Sequence, residues 1–211
     1  MSTAAESPDI LIGQLKEEIK SIARKPSFRH YRWYVRYHLV IVERIADELL
    51  EVYTTADPAL VRALVWIHDY GKMLTDEDDR STTLIEGRRK LLEIGFPADF
   101  VDRVIEYTDL IDKKLEIDLG KAPIEVQIAS SADGCAHLIG PFYLLWFWEN
   151  PDTPFETLMR GNRHKERESW EHKIVLPEAR KAFAIRHRLL MELNGSLPSR
   201  LLEPIPDTEE T

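Results

Sequence analysis

The chain has 211 residues, of which 44% are hydrophobic and 31% are charged. That length suffices for one sizeable core and is short for two independent domains. The formal net charge of −9 argues against a surface devoted to the nucleic-acid backbone, and no apolar run is long enough to cross a bilayer. Cys135 is the only cysteine, which excludes an intrachain disulfide, and the first residues lack a secretory signal. We therefore expect a cytoplasmic protein.

Helix signals run through almost the whole sequence, and no alternating run is strong enough to predict a sheet. Ser7-Pro8 is typical of a helix start, and Lys25-Pro26-Ser27 ends that helix near residue 24. Four prolines divide the C-terminal part into shorter helices, and residues 195–211 form a predicted tail. Further helices are predicted near 28–53, from "TTADP" (54–58) to His68, and near 82–94, 97–111 and 122–139, with a polar loop "LTDEDDRST" at 74–82. The expected fold is all-α.

The stretch "ALVWIHDYGK", residues 63–72, ends an apolar helix with two groups that bind protons or metals. His68 follows Leu60 and Leu64 at four-residue steps, so it lies on the apolar stripe. Asp69 is next to it, and Gly71 is expected to end the helix. Packing alone does not favour an imidazole and a carboxylate at the mouth of a buried helix.

His38 and Asp133 show the same pattern on two other predicted helices. His38 shares a stripe with Val42 and Leu49, so its side chain is expected to face inward. Asp133 lies among small residues in "IEVQIASSADGCAHLIG", residues 124–140, on a face that is expected to be buried. An ionised carboxylate there must be neutralised, paired or bound to a cation.

These two imidazoles and two carboxylates allow two interpretations. They could neutralise one another, and a single histidine on an apolar face is often a core residue bonded to a carbonyl group. A divalent cation would account for all four at once. Mixed nitrogen and oxygen ligands suit Mn²⁺, Fe²⁺, Co²⁺, Ni²⁺ or Zn²⁺ better than a calcium site.

The order His38, then His68-Asp69, then Asp133 resembles the H…HD…D signature of the HD-domain superfamily of metal-dependent phosphohydrolases. "HLVIVERIADELL" is similar to the family's first ligand helix, "LVWIHDYGK" to its HD helix, and "IASSADGCAHLIG" to its last ligand helix. The resemblance covers roughly residues 30–140. It implies an all-α fold around a metal, with these four residues as ligands, and hydrolysis of a phosphate ester or anhydride, often in a nucleotide.

On this basis we expect a single-domain helical bundle of the HD-domain type with extra C-terminal helices. Its predicted parts are an N-terminal helix packing on the core (1–27), the metal-binding core (28–140), a C-terminal helical extension of the same domain (141–194) and a tail (195–211).

The sequence departs from the family between the HD pair and the last aspartate. Many relatives carry extra histidine or glutamate ligands for a second metal there. The segment "RSTTLIEGRRKLLEIGF" has no histidine, and "VDRVIEYTDLI" offers Thr108 where a relative has a histidine. One divalent ion is therefore expected, drawn from Mn, Co, Ni, Fe, Zn or Mg, with Mn favoured.

The expected reaction is in-line attack on phosphorus by a water that the ion activates. Asp69 could ligate the ion through one oxygen and orient the water with the other. Lys72 could pair with a phosphate oxygen, or it could be a solvated residue at a helix end. His137, one turn after Asp133, is a candidate for substrate binding or proton donation, or a packed residue near the pocket. The catalytic candidates are thus Asp69 and Lys72, and the substrate-binding candidates are Lys72 and His137.

Two C-terminal segments have less specific patterns. "PFYLLWFWENP", residues 141–151, is interpreted as packing in the core, with a dimer surface or a wall for stacking a nucleobase as alternatives. The segment from Arg160 to Arg188 carries nine Lys or Arg against four acids and is interpreted as a solvated face. The stripe Arg29, Arg32 and Arg36 lies opposite His38 and is expected to face water or a partner.

Three functions follow from these patterns. The favoured one is a metal-dependent phosphohydrolase that acts on a nucleotide or another small phosphorylated metabolite, with no membrane, no nucleic acid and a homodimer as an open possibility. The first alternative is a regulatory scaffold that binds a nucleotide without turnover. The second is a di-iron oxygenase of the same superfamily, which would need additional histidine ligands.

Overall fold

The computed structural model describes residues 7–75, 79–197 and 199–202, and these contain helices and no strand. The all-α prediction is confirmed. No described helix is both long and apolar enough to span a membrane. The helices are α1 (Pro8–Ala23), α2 (Val40–Val52), α3 (Pro58–Ile67), α4 (Asp79–Ile94), α5 (Ala98–Asp112), α6 (Ile124–His137), α7 (Phe142–Glu149), α8 (Phe155–Glu168) and α9 (Pro177–Leu193).

Helix α6 is the central element of the fold. It packs against α2, α3 and α5, and a π-helical turn at Ser169–Lys173 covers another of its faces. Its small residues allow this close approach. A Cβ atom on Gly134 would lie 2.7 Å from Ile174 Cγ1 and 2.9 Å from Lys173 Cβ, so only glycine fits there without a shift. The segments on both sides of α6 are therefore held within reach of one another.

The predicted helix from Phe28 to Tyr53 begins later than expected. Residues 25–34 form successive turns, and a π-helical turn at Val35–Leu39 leads into α2. Phe28, Trp33 and Tyr34 are all buried. On one α-helix they would be spread by about 140° and 240°, so a helix could not bury all three against one core. Burial of these rings accounts for the irregular backbone.

The end of α3 also differs from the prediction. The helix ends at Ile67, and His68 and Asp69 lie in the following turn. Gly71 does not adopt a positive φ angle; it begins a short 3₁₀ turn at Gly71–Met73 and donates its N–H to Thr83 Oγ1 at 2.8 Å. The prediction that Gly71 ends this helix is therefore wrong.

The N-terminal and C-terminal parts complete the bundle. Helix α1 packs against α3 and α4 through Leu11, Leu15 and Ile19. Within the predicted loop 74–82, residues 76–78 lie outside the described residues. The predicted tail from residue 195 is described only at 195–197 and 199–202, which contain no helix. The boundaries of the four predicted parts stay predictions.

Candidate metal centre

Three segments bring the predicted ligands together in the interior. His38 comes from the π-helical turn before α2, His68 and Asp69 follow α3, and Asp133 lies in α6. His38, His68 and Asp133 are only 2%, 8% and 3% exposed. π-helical turns often occur at functional sites, because the inserted residue re-aims the side chains around it.

Asp133 Oδ1 lies at the centre of three imidazoles. His38 Nε2 and His137 Nε2 are each 3.4 Å from this oxygen, and His68 Nε2 is 3.8 Å from it. These distances exceed those of ordinary hydrogen bonds. The two distances of 3.4 Å match atoms that share one ion, because ligands at about 2.0–2.2 Å from a metal lie roughly 3–3.6 Å apart. His68 Nε2, at 3.8 Å, lies just beyond this range.

The tautomer of His68 follows from its backbone contact. Its Nδ1 is 2.9 Å from the carbonyl oxygen of Val65, so this nitrogen donates. In the neutral ring Nε2 then carries a lone pair, which faces Asp69 Oδ2 at 3.5 Å and Asp133 Oδ1 at 3.8 Å. Nε2 has no hydrogen-bond partner among the described residues. Three facing acceptors repel one another unless a proton or a cation lies between them.

His38 is held as a neutral ring. Burial lowers its pKa to about 4, although the nearby Asp133 acts in the opposite direction. The ring stacks on His137, with centroids 5.3 Å apart and planes 7° apart. Burial likewise lowers the pKa of His137 well below its ordinary value, and its Nδ1 lies 2.9 Å from Ser169 Oγ. Neutral imidazoles are the form that binds metals.

The ligand atoms form two overlapping sets that share His38. One set is His38, His68 and Asp69, and the other is His38, Asp133 and His137, each with its atoms within 4.8 Å of one another. The four predicted ligands thus do not form one compact group. His137, which the sequence suggested for substrate binding, contributes a ligand atom beside Asp133 and also lines the adjacent cavity.

Asp69 is hydrogen-bonded through both of its oxygens. Tyr34 donates to Oδ2 and Lys72 donates to Oδ1, each at 2.6 Å. Burial alone would raise the pKa of Asp69, but Lys72 and His68 together hold it well below its ordinary value. The carboxylate is therefore ionised, and each of its two oxygens already accepts one hydrogen bond. Because each carboxylate oxygen has a second lone pair, Asp69 can still ligate an ion or orient a water while it keeps both contacts.

Asp133 has a buried cationic partner that the sequence analysis missed. Lys173 donates to Oδ2, and both side chains are almost fully buried. Burial would raise the pKa of Asp133, but Lys173 and the imidazoles keep it well below its ordinary value. The interpretation of the basic segment as a solvated face is wrong for Lys173. The run of small residues around Gly134 was the one available signal, since it predicts that another segment packs closely on α6.

A cavity of about 270 Å³, here called the aromatic cleft, opens beside the centre. The predicted residues that reach it are His38, Asp69, Lys72 and His137. Helix α7 contributes to it on one face only: Leu144 and Trp148 are exposed on the other. The core interpretation of this aromatic segment is therefore only partly right. The remaining lining residues are His30, Trp33, Tyr34, Phe142, Tyr143, Trp146, Gly161, Asn162 and Lys165.

A second cavity of about 240 Å³, the polar cleft, lies on the other side of Asp69 and Lys72, which line both cavities. His68 also reaches it, together with Arg80, Thr83, Asp112 and Lys114. Two of its cations are paired: Arg80 with Asp109 at 2.6 Å and Lys114 with Glu168 at 3.3 Å. Asp69 and Lys72 are thus the residues through which the centre meets both cavities.

Other candidates lie away from the centre. Arg29, Arg32 and Arg36 are exposed, as predicted, and stack over aromatic rings. Thr108 is buried and donates to the carbonyl oxygen of Val104, so it is not aimed at the centre. Cys135 is buried, and burial raises the pKa of its thiol, which makes it a poor nucleophile.

Comparisons with protein-family models, with curated proteins and with solved structures found no match to this chain. The resemblance to the HD-domain superfamily thus depends on His38, His68, Asp69, Asp133 and their sequence surroundings, and it stays a prediction.

Proposed function

We propose that the protein is a metal-dependent phosphohydrolase of the HD type that cleaves a phosphate ester or anhydride of a nucleotide or another small phosphorylated metabolite. The observation that carries the proposal is the position of His68 Nε2, which faces two carboxylate oxygens and has no hydrogen-bond partner among the described residues. A divalent cation would satisfy all three atoms. Mn²⁺ is favoured among Mn, Co, Ni, Fe, Zn and Mg, because the donors are mixed imidazole and carboxylate.

Different residues of the chain would hold the cation and bind the phosphate group. His38, His68 and Asp69 would hold the cation together with Asp133, whose Oδ1 lies 3.4 Å from His38 Nε2 and 3.8 Å from His68 Nε2. A cation bound there lowers the pKa of a water towards neutrality and polarises a phosphoryl oxygen. Tyr34 and Lys72 hold Asp69 in place, and Lys72 is 44% exposed, so it can exchange part of its contact for a phosphate oxygen.

The aromatic cleft supports a nucleotide as the substrate. Trp33, Phe142 and Trp146 offer ring faces, while Asp69 and Lys72 lie at the side of the centre. Planar rings stack well on such side chains, and small-ligand sites typically combine apolar walls with a few polar groups. A nucleobase against the rings would direct its phosphate towards Lys72.

The test is a hydrolysis screen with purified protein, each metal in turn and a panel of nucleotides and small phosphate esters. Wild-type protein with Mn²⁺ should release phosphate or pyrophosphate, and His68→Gln and Asp69→Asn should lose at least about 100-fold in kcat/KM. His164→Gln is the matched control, because His164 is exposed on α8. Absence of turnover with every metal, or full activity in His68→Gln, would overturn the proposal.

One observation favours the regulatory alternative. Both oxygens of Asp69 and Oδ2 of Asp133 already accept hydrogen bonds from side chains. Such a centre could bind a nucleotide without activating water. Tight nucleotide binding by metal-loaded protein that hydrolyses nothing would favour this function. The cytoplasmic location and the homodimer stay predictions.

A further inference from the structure

Helix α8 presents a cation and an amide to the aromatic cleft. Asn162 and Lys165 are three residues apart, so they share one face of the helix, and both line the cavity. The face is anchored on the core by Leu158 and Glu166, which are buried. Neither Asn162 nor Lys165 belongs to the candidate metal ligands.

Lys165 has no carboxylate within hydrogen-bond distance among the described residues. The carboxylate that faces its ammonium group is that of Glu168, at 3.9 Å. Glu168 is also paired with Lys114 at 3.3 Å. Lys72, in contrast, donates to Asp69 at 2.6 Å. Burial and the like charges of Lys173 and Lys72 lower the pKa of Lys165 to about 7. An anion bound near Lys165 and Lys72 would offset their mutual repulsion and favour the charged form of Lys165.

Asn162 is a donor without an acceptor. The residue is 3% exposed, and Nδ2 has no hydrogen-bond partner among the residues that the structure describes. A buried N–H group without a partner is unfavourable, and such groups are rare in folded proteins. Asn162 lines the cleft, although Nδ2 itself is closed off from solvent, so an acceptor atom of a ligand supplies the missing bond once the amide turns towards the cavity.

We propose that Lys165 and Asn162 form an oxyanion subsite of the aromatic cleft that binds a phosphoryl-type group opposite Lys72. One oxygen of the anion accepts from the Lys165 ammonium group and another from the Asn162 amide. The choice of a phosphoryl group rests on the proposed function, whereas the anion-binding geometry does not. The subsite would orient the substrate's charged end, while Trp33 and Phe142 contact its ring.

The test is calorimetric titration of metal-free protein with inorganic phosphate and with adenosine 5′-monophosphate. Lys165→Gln should weaken binding of both by about tenfold or more, and Lys165→Arg should retain most of it. Asn162→Asp keeps the shape of the side chain but places a carboxylate against the anion, so binding should be lost. Arg167→Gln is the matched control, since Arg167 is exposed on α8 and does not line the cleft.

Two results would overturn the subsite: phosphate that does not bind wild-type protein at millimolar concentration, or equal affinity in wild type and Lys165→Gln. Circular dichroism of each variant separates lost binding from lost folding, and if Asn162→Asp unfolds, the Lys165 pair decides the question. Because no metal and no turnover are involved, these results are independent of the hydrolysis screen. A failed subsite leaves the phosphohydrolase open, and an inactive protein can still bind phosphate through Lys165.

Discussion

The two carboxylates of the candidate centre lie in opposite surroundings. Asp133 is closed in, with three imidazoles around Oδ1 and the buried Lys173 on Oδ2. Asp69 lines both clefts, and its cationic partner Lys72 is 44% exposed. The two sides of the centre therefore differ in role. The closed side, around Asp133, contributes mainly to stability, whereas a ligand can enter on the open side, around Asp69.

The largest expected effect comes from Lys173→Met. Removing one partner of a buried ion pair leaves Asp133 uncompensated, so the free energy of unfolding should fall by about 3–5 kcal/mol. Chemical denaturation of metal-free protein measures this loss. Lys121→Met is the control, because Lys121 pairs with Asp118 on the surface, and it should cost less than about 1 kcal/mol. If Lys173→Met lost as little stability as the control, the Asp133 side would not be the part of the centre that stabilises the fold.

The second prediction concerns pH and the closed side of the centre. His38 has a folded-state pKa of about 4, compared with an ordinary value of 6.5, and it faces Asp133, His68, Asp69 and Lys72. As the pH falls below 6.5, His38 binds a proton in the unfolded chain but not in the folded one. The free energy of unfolding therefore decreases until about pH 4. The contribution is about 3 kcal/mol, since each pKa unit is worth about 1.4 kcal/mol.

Denaturation of metal-free protein between pH 7 and pH 4 measures this effect. The lowered pKa of His137 acts in the same direction, so His38→Gln should flatten the profile without making it level. His164→Gln, at an exposed position, should keep the wild-type slope. A profile that is unchanged by His38→Gln would contradict the neutral, buried state of this ring.

The third prediction tests how the closed side is assembled. In Gly134→Ala the new Cβ would meet Ile174 and Lys173 at under 3 Å, so the π-helical turn must shift. Such overpacking typically costs about 1–3 kcal/mol, measured by thermal or chemical denaturation. Gly13→Ala is the matched control, because nothing lies within 4 Å of its Cβ and α1 should be stabilised by about 0.5–1 kcal/mol. A neutral Gly134→Ala would show that Lys173 is not held by this contact.

The smallest effect on stability is expected on the open side. Lys72→Met should lower the free energy of unfolding by less than Lys173→Met does, because Lys72 is 44% exposed, whereas Lys173 is almost fully buried. Its turnover in the hydrolysis screen should nevertheless fall by about 100-fold. Stability and kcat, measured on the same preparation, separate the two. A large loss of stability with unchanged kcat would reverse the roles assigned to the two sides.

Periodicity was sufficient to predict the all-helical fold and the inward direction of the main candidates, but not every helix boundary. Leu60 and Leu64 place His68 on a buried stripe, and the small residues around Asp133 predict its burial, both of which the structure confirms. Pro8 and Pro58 begin helices where prolines in a first turn are expected. These signals are local, so a single sequence carries them.

Contacts between residues that are far apart in the sequence could not be predicted from such local signals. Lys173 reaches Asp133 from forty residues away, and its burial depends on the packing of a π-helical turn against Gly134. Lys165 looks like any lysine of a charged helix until α8 is seen beside the aromatic cleft. The turns at residues 25–34 arise because three rings must be buried together, which outweighs helix propensity. Charge pattern alone does not distinguish a solvated lysine from a buried one.

A count of metal ions per chain tests the proposed metal centre most directly. Metal-free protein is titrated with Mn²⁺ by calorimetry, and the complex is then analysed for its metal content. Wild-type protein should bind one ion per chain, and this ion should be lost in His68→Gln and in His38→Gln and retained in His164→Gln. A wild-type chain that binds no divalent ion, or a His68→Gln variant that binds it equally well, would contradict a metal centre between these helices.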